Sequence, residues 1–410
     1  MYFVERFCKK GENDLENTIY LTLMNKDRPV MNLSGKIKED LKRIKLPVFV
    51  ADKAEIIEEN KKFLPVFIHS AEISTELFNK WFAKRVLSDK RRDFPSKIEW
   101  QDEFPHFFSL TDHYWLRYDE TEKYSDLNFF DNGYKTLTGD TFFTKNIPVL
   151  NPAQLYFHSP DITANGNMSK RWKRNDNKID YLIKRSGNKQ EVLNEVFATW
   201  LLNKLNIVTF VAYSLCIEKY DICSMCRNFV TKDTEFVPAA HVYEAVPFSD
   251  EIRDLKTDPE RTYAHLIESI KCFNIPGGAE FVDKMLIADE ILMNDDRHLN
   301  NFGFLRDVNT AEFIEPAPLF DFGNTFFNDT GEHNRNKLLF ADRIQYLYKE
   351  KRIQPLTKEQ YSEFAGILDE CPFVGTKKTK EILNEFKENN ERIKKKILIA
   401  EHDKSIGNND

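Results

Sequence analysis

Two stretches of the sequence carry the side chains that phosphoryl transfer requires: Asn294-Asp-Asp-Arg-His-Leu-Asn-Asn-Phe-Gly-Phe-Leu305 and Leu319-Phe-Asp-Phe-Gly323. In that chemistry one carboxylate orients the attacking hydroxyl, while an amide and a second carboxylate hold the magnesium ions that bridge the phosphates. Asp296 and Asn301 stand five residues apart, and Asp321-Phe322-Gly323 follows a short hairpin-like stretch. Asp295 and Asn300 share that spacing. The Asp296 register is preferred because Asn301 then leads straight into the apolar Phe302–Leu305, which would hold a metal-binding amide rigidly. It also yields the tripeptide Asp296-Arg297-His298. The bland alternative is a polar helix–strand loop in which His298 satisfies a buried hydrogen bond. The whole combination weighs against it. Asp295, Asp296, His298 and Asp321 would also suit a metal hydrolase working without ATP.

These residues need elements to position them. Ile179–Lys184 reads as a short strand, ending in an ammonium suited to nucleotide phosphates. The helix that follows, Gln190–Leu205, carries apolar Val192, Val196, Trp200 and Leu201 and offers Glu195 as the clamp for Lys184, with Glu191 one turn earlier as competitor. Thr163–Lys170 is a candidate phosphate loop: Gly166, beside Asn165, permits close backbone approach and Lys170 supplies charge. The wider Asp161–Lys178 stretch reads as a polar, basic loop. Further strands are expected at Thr209–Ile217, Ser224–Val230 and His241–Ala245, and helix at Phe281–Met293 and Lys377–Ile399. In the first 150 residues, Tyr20–Met24 and Leu46–Val50 read as strands, with a turn at Asn25–Asp27. Ser74–Arg85 reads as a Ser-capped amphipathic helix with Leu77, Phe78, Trp81 and Phe82 on one face. Strands first and helices later describe an α+β fold of two lobes with a cleft between them.

Composition sets the bounds. The 410 residues, 41% hydrophobic and 13% aromatic, supply ample bulk for two or three packed units and exclude wholesale disorder. A net charge of −7 is not the footprint of a general nucleic-acid binder. Apolar runs fall far short of the roughly 18 residues needed to span a bilayer. The opening Met1-Tyr-Phe-Val-Glu-Arg lacks the form of a secretory signal, so a cytoplasmic location is expected. Six scattered cysteines are no disulfide framework. Cys223-Ser-Met-Cys226 reads as part of a strand, with metal or redox chemistry as the alternative.

Over residues 155–330 these motifs resemble the HipA-like kinases, bacterial Ser/Thr protein kinases of toxin–antitoxin type related to the phosphoinositide kinases. Met24-Asn-Lys-Asp27, the Leu77–Arg85 helix, Ser109-Leu-Thr-Asp112 with Tyr114-Trp115, and Asn128-Phe-Phe130 resemble the N-terminal part of such proteins. The resemblance implies a protein-kinase-like fold with a strand-rich N-lobe over 151–250 and a mainly helical C-lobe over 251–400. An additional N-terminal α/β region over 1–150 would select substrate or partner, and 401–410 would be a flexible tail. It implies Mg2+ and ATP as cofactors, Asp296 as base, Asn301 and Asp321 as magnesium ligands, and Lys184 as the phosphate lysine, with His298 among the catalytic group. Adenine would meet a hinge near Arg227, Asn228 and Phe229. Autophosphorylation would fall on Thr163 or Ser169. The implied partners are a protein substrate and a small DNA-binding antitoxin, without direct nucleic-acid or membrane contact. A lipid or small-molecule kinase and a silent ATP-binding module are the alternatives.

Overall fold

The computed structural model describes residues 18–39, 47–68, 75–85, 98–100, 106–136, 153–155, 158–164, 168–187, 189–247, 259–294, 296–325, 358–370 and six isolated positions between 380 and 391. Asn165, Gly166, Asp295, the tail 401–410 and most of the helix expected over 377–399 lie outside these residues. The described chain is a mixed assembly of antiparallel sheets and helices.

In the N-terminal part, strands β1 (Ile19–Asn25), β2 (Arg28–Glu39), β3 (Pro47–Ile56) and, beyond β4 (Ile98–Trp100), β5 (Tyr114–Arg117) form an antiparallel sheet in the order β3-β2-β1-β5. The β1–β2 turn is made by Lys26, whose φ of 49° lies in the left-handed region, and Asp27. Period-two alternation turns Leu21 and Leu23 of β1 into a cluster with Leu33 and Phe49. The helix Thr75–Arg85 closes that cluster with Phe78, Trp81 and Phe82, spaced to share one helical face. Asn79 fixes its register, accepting from the Ala51 N–H at 2.8 Å and donating to the Ala51 carbonyl at 2.9 Å. Strand β4 pairs in parallel with β6 (Ala153–Leu155), so backbone pairing crosses the boundary expected near residue 150.

The second sheet has the order β7-β8-β10-β9, from β7 (Ser169–Arg174), β8 (Asp180–Arg185), β9 (Tyr213–Glu218) and β10 (Asp221–Arg227). Strand β7 corrects the expected loop over 161–178. Its polar sequence hides burial, because Arg171 is buried as an ion pair with Glu218 of β9 at 3.3 Å and Trp172 is buried with its N–H on Asp161. The helix Lys189–Leu205 packs against this sheet and feeds Phe197, Ala198, Leu201 and Leu202 into the largest core cluster.

That core continues through the helices Ala239–Ala245, Pro259–Cys272 and Gly278–Leu292 to Phe302, Phe304, Leu319 and Phe322. The strand expected at His241–Ala245 is instead the helix Ala239–Ala245. A short apolar run does not distinguish the two by periodicity. Here the strand lies just before, as β11 (Thr234–Pro238), and Pro238 ends it at the helix N-cap. Strand β11 pairs with β12 (Gly303–Asp307), which pairs with β13 (Phe313–Pro316). At Gly303 a Cβ would sit 2.2 Å from the Val237 carbonyl oxygen, so only glycine lets these strands meet.

The N-terminal sheet is bolted to this part by a buried ionic node. Arg306 donates to Glu235, to the Tyr114 hydroxyl at 2.7 Å and to the Leu64 carbonyl at 3.2 Å. His113 adds a second tie, its Nε2–H facing the Thr234 and Thr231 carbonyls at 2.9 and 3.1 Å. No helix among the described residues is long and apolar enough to cross a membrane.

Candidate active site

A cavity of about 1040 Å³ is walled on one side by β7, β8 and β10, and on the other by residues 296–301 and 320–324. Lys184, on β8, is its charged centre. The Lys184 ammonium lies 2.6 Å from Glu195, 3.3 Å from Asp321 and 3.3 Å from the Tyr213 hydroxyl. Glu191, the competitor, accepts instead from the Ser186 hydroxyl. Glu195 is fully buried on the Lys189–Leu205 helix and also accepts from the Ser224 hydroxyl of β10.

The electrostatics follow from this packing. Burial opposes charge on Asp321, yet Lys184, with Lys170 and Arg297, outweighs it and lowers the carboxyl to about 2. Burial likewise opposes charge on Lys184, but Asp321 and Glu195 raise its pKa well above the usual ammonium value. Burial raises Glu195, only partly offset by Lys184 and Ser224. Lys170, the cross-strand partner of Lys184 on β7, brings a second ammonium to the same wall.

Asp296, His298 and Asn301 come from the loop after the Gly278–Leu292 helix. Asp296 and His298 are exposed within the cavity, and Asn301 is buried at its floor. Asn301 donates through Nδ2 to the Asp296 carbonyl at 3.1 Å, which frees its side-chain oxygen. His298 Nδ1 accepts from the Asn300 N–H at 3.2 Å. Asp321 has a left-handed φ of 66° that a non-glycine residue adopts only when held there. Its N–H points at the Tyr213 hydroxyl, 3.4 Å away.

Arg297, the middle residue of the tripeptide, organises the loop. It is buried, donates through Nε and Nη2 to Asp289 at 2.8 and 2.9 Å, and through Nη1 to the carbonyls of Asn301 and Phe320, each at 2.7 Å. One guanidinium therefore ties the Asp296–Asn301 loop to the residue preceding Asp321. Asn194 does the same from the opposite wall, donating to the Gly323 carbonyl at 2.7 Å. Asp289, Asn194, Tyr213 and Ser224 escape the sequence reading. The run Ile287–Leu292 carries two adjacent carboxylates, Asp289 and Glu290, and nothing in the sequence singles out Asp289.

Asp321 and Asn301 present hard oxygen donors beside an exposed carboxylate, the donor type that magnesium takes. Lys184 and Lys170 supply positive charge for phosphates. Arg227, Asn228 and Phe229 line the cavity after β10. The Asn228 N–H is committed to the Asp180 carbonyl at 2.8 Å, its side chain donates to the Leu110 carbonyl, and Phe229 stacks on Phe320. Thr163 lines the cavity with its hydroxyl near the Phe108 and Pro160 carbonyls, and Ser169 lines it as a buried residue of β7.

Cys223 and Cys226 sit three apart on one strand, so their side chains leave on opposite faces. Cys223 packs into the N-terminal cluster and Cys226 into the main core, where burial raises its thiol to about 12. Among the described residues no group of three or more His, Cys, Asp or Glu could hold a metal ion; Asp295 of the metal-hydrolase reading lies outside them.

No protein-family model and no curated protein matches this sequence. Among solved structures, the chain is similar to the proinflammatory kinase CtkA of Helicobacter pylori, at 21% identity and a TM-score of 0.39 over 58% of this chain and 94% of that one. It is also similar to HipA of Shewanella oneidensis MR-1, solved with HipB and operator DNA, at 10% identity and a TM-score of 0.36 over 91% and 97%. The functional reading rests on the site's own geometry.

Proposed function

We propose that this chain is a Mg-ATP-dependent kinase of HipA-like type that transfers the γ-phosphate to a serine or threonine hydroxyl of a protein. The observation that carries this is the Lys184 ammonium, held between Glu195 and Asp321 in the cavity that also receives Asp296 and Asn301. When bound, Mg-ATP supplies the transferable phosphoryl group and the charge that shields it. Lys184 orients the phosphates and Glu195 fixes Lys184. Asp321 and the Asn301 oxygen offer the metal ligands. Asp296 accepts a hydrogen bond from the incoming hydroxyl and aligns it for in-line attack, so positioning and charge neutralisation supply most of the rate. His298 sits beside Asp296 at the mouth of this end. In this reading 151–250 and 251–400 are the two lobes, and residues 1–150 act in substrate or partner selection. Thr163 and Ser169 are the proposed autophosphorylation sites. A toxin role and a small DNA-binding antitoxin follow from the family resemblance.

The test separates chemistry from nucleotide binding. Asp296→Asn should lose transfer of labelled phosphate by several decades yet keep stabilisation by Mg-ATP. Asp321→Ala should lose both transfer and the magnesium-dependent part of that stabilisation. Asp295→Asn should retain substantial activity. Wild-type turnover in Asp296→Asn with a dead Asp295→Asn would move the register by one residue, and full activity in all three would end the kinase reading.

A further inference from the structure

The sequence sets Cys223 near Cys226, but the fold sets it against Cys216. The hairpin β9–β10 turns on Lys219 and Tyr220, whose φ angles of 47° and 69° are the two left-handed residues that a tight hairpin turn requires. That turn fixes the register, pairing Glu218 with Asp221, Ile217 with Ile222 and Cys216 with Cys223. Residues directly opposite in an antiparallel pair share one face of the sheet. Both cysteines accordingly pack in the N-terminal cluster. Ser224, the next residue of β10, leaves on the other face, where its hydroxyl donates to Glu195.

Both thiols are free, Cys216 half-buried and Cys223 fully buried. A hydrogen bond from the Cys223 thiol lowers the Cys216 pKa against the opposing effect of burial. The same contact, with burial, raises Cys223. The pair is thus divided into a nucleophile on the more open side and a protonated partner behind it. Opposite Cβ atoms in a sheet lie about 4.5 to 5.5 Å apart, while a disulfide holds them about 3.8 Å apart. Closure therefore draws the strands together by about 1 Å at Cys223. That is one residue from the hydroxyl that holds Glu195, the clamp of Lys184.

We propose that Cys216 and Cys223 form a hydroperoxide-sensitive dithiol whose closure to a cross-strand disulfide loosens the Lys184–Glu195 clamp. The chemistry stands on the hairpin alone, and the effect on nucleotide rests on the kinase reading. The Cys216 thiolate attacks one oxygen of the hydroperoxide. An S–O bond forms as the O–O bond breaks, and the leaving oxygen takes a proton as an alcohol or, from hydrogen peroxide, as water. The Cys223 sulfur then attacks the Cys216 sulfenic acid. The S–S bond forms, the S–O bond breaks, and the hydroxyl leaves as water with the Cys223 proton. Two thiols lose two electrons in all, and one hydroperoxide gains them.

Trypsin cuts after Lys219, between the two cysteines, so the bond is read as a linked pair of peptides. The full chain is treated with hydrogen peroxide, capped with N-ethylmaleimide and digested. Peptides 205–219 and 220–227 should be joined, fragmentation should place the bond on Cys223 rather than Cys226, and dithiothreitol should part them. Cys223→Ala, folded by circular dichroism, should instead carry a dimedone adduct on Cys216, because its sulfenic acid has no partner. Peptides that stay separate, a bond to Cys226, or no adduct on Cys216 overturns the dithiol. The Mg-ATP concentration for half-maximal thermal stabilisation should rise severalfold on oxidation of the wild-type chain and stay level in Cys216→Ser treated alike. An equal requirement in both redox forms overturns the effect on the clamp. A linked pair in a chain that Mg-ATP never stabilises upholds the dithiol and counts against the kinase reading instead.

Discussion

Arg297→Lys is the sharpest perturbation of the site, because it keeps the charge and removes the fork. The native guanidinium makes four hydrogen bonds of 2.7 to 2.9 Å, two to the Asp289 carboxylate and two to the Asn301 and Phe320 carbonyls. A lysine ammonium, on a shorter reach and without the fork, can retain one contact with Asp289, and the two carbonyls lose their donor in a buried setting. Breaking a buried pair of this kind costs about 3 to 5 kcal/mol. At the entropy of unfolding of a chain this size, that is a fall in Tm of roughly 3 to 6 °C. The functional loss should exceed what stability explains. Asn301 and Asp321 are positioned through those two carbonyls, and a displacement near 1 Å costs about a hundredfold in turnover. Differential scanning calorimetry and a magnesium titration of phosphate transfer, both well below the variant's Tm, read the two effects separately. Asp289→Asn should lie between the variant and wild type, since it keeps the acceptor oxygen and drops the charge. A destabilised Arg297→Lys with an unaltered magnesium requirement would show that Arg297 only braces the core, and the coupling of the two loops would be refuted.

Tyr213→Phe removes the hydroxyl that meets both Lys184 and the Asp321 N–H while keeping the ring, so the magnesium requirement should rise severalfold with little change in Tm; an unchanged magnesium titration would deny Tyr213 a positioning role. Lys184→Ala should raise the ATP concentration needed for half-maximal transfer with the fold intact by circular dichroism, and Lys184→Arg should restore it only in part, because a planar fork replaces a compact ammonium. His113 predicts an acid dependence of stability. Burial, partly offset by the Thr234 carbonyl, lowers its imidazole to about 4. Between pH 6.5 and 4 the unfolded chain therefore binds a proton that the folded chain refuses, and stability present above 6.5 is lost on acidification, by about 3 kcal/mol in all. Urea unfolding across this range should give a shallower slope for His113→Gln than for wild type, and parallel slopes would remove His113 as the source.

The sequence exposes the site better than the scaffold, for a physical reason. Asp296, Asn301, Asp321 and Lys184 are polar residues set against apolar strands, so type and spacing flag them before any fold is known. The structure brings all four to one cavity. Residues that position them are harder to read, because their meaning lies in partners distant along the chain: Asn194 meets Gly323, and Tyr213 meets Asp321. Strand β7 is masked by two arginines whose charges are met across the sheet, Arg171 by Glu218 of β9 and Arg174 by Asp180 of β8. The helix Ala239–Ala245 is masked by its brevity, since seven apolar-rich residues satisfy either period. Trp81 reads as core from its helical spacing and packs in the N-terminal cluster, while it also lines the cavity.

The ionic node at Arg306 also has a consequence for how the protein is made. Tyr114 waits for a partner 192 residues downstream and Leu64 for one 242 residues downstream. At ribosomal rates of about 5 to 20 residues per second, the N-terminal sheet leaves the ribosome roughly 10 to 40 s before Arg306 is synthesised. During that interval the Tyr114 hydroxyl and the Leu64 carbonyl face water instead of guanidinium, and the sheet lacks the surface it finally packs against. Completion of the N-terminal region is therefore an event of late synthesis: the first segments translated reach their final state only after β12 has emerged.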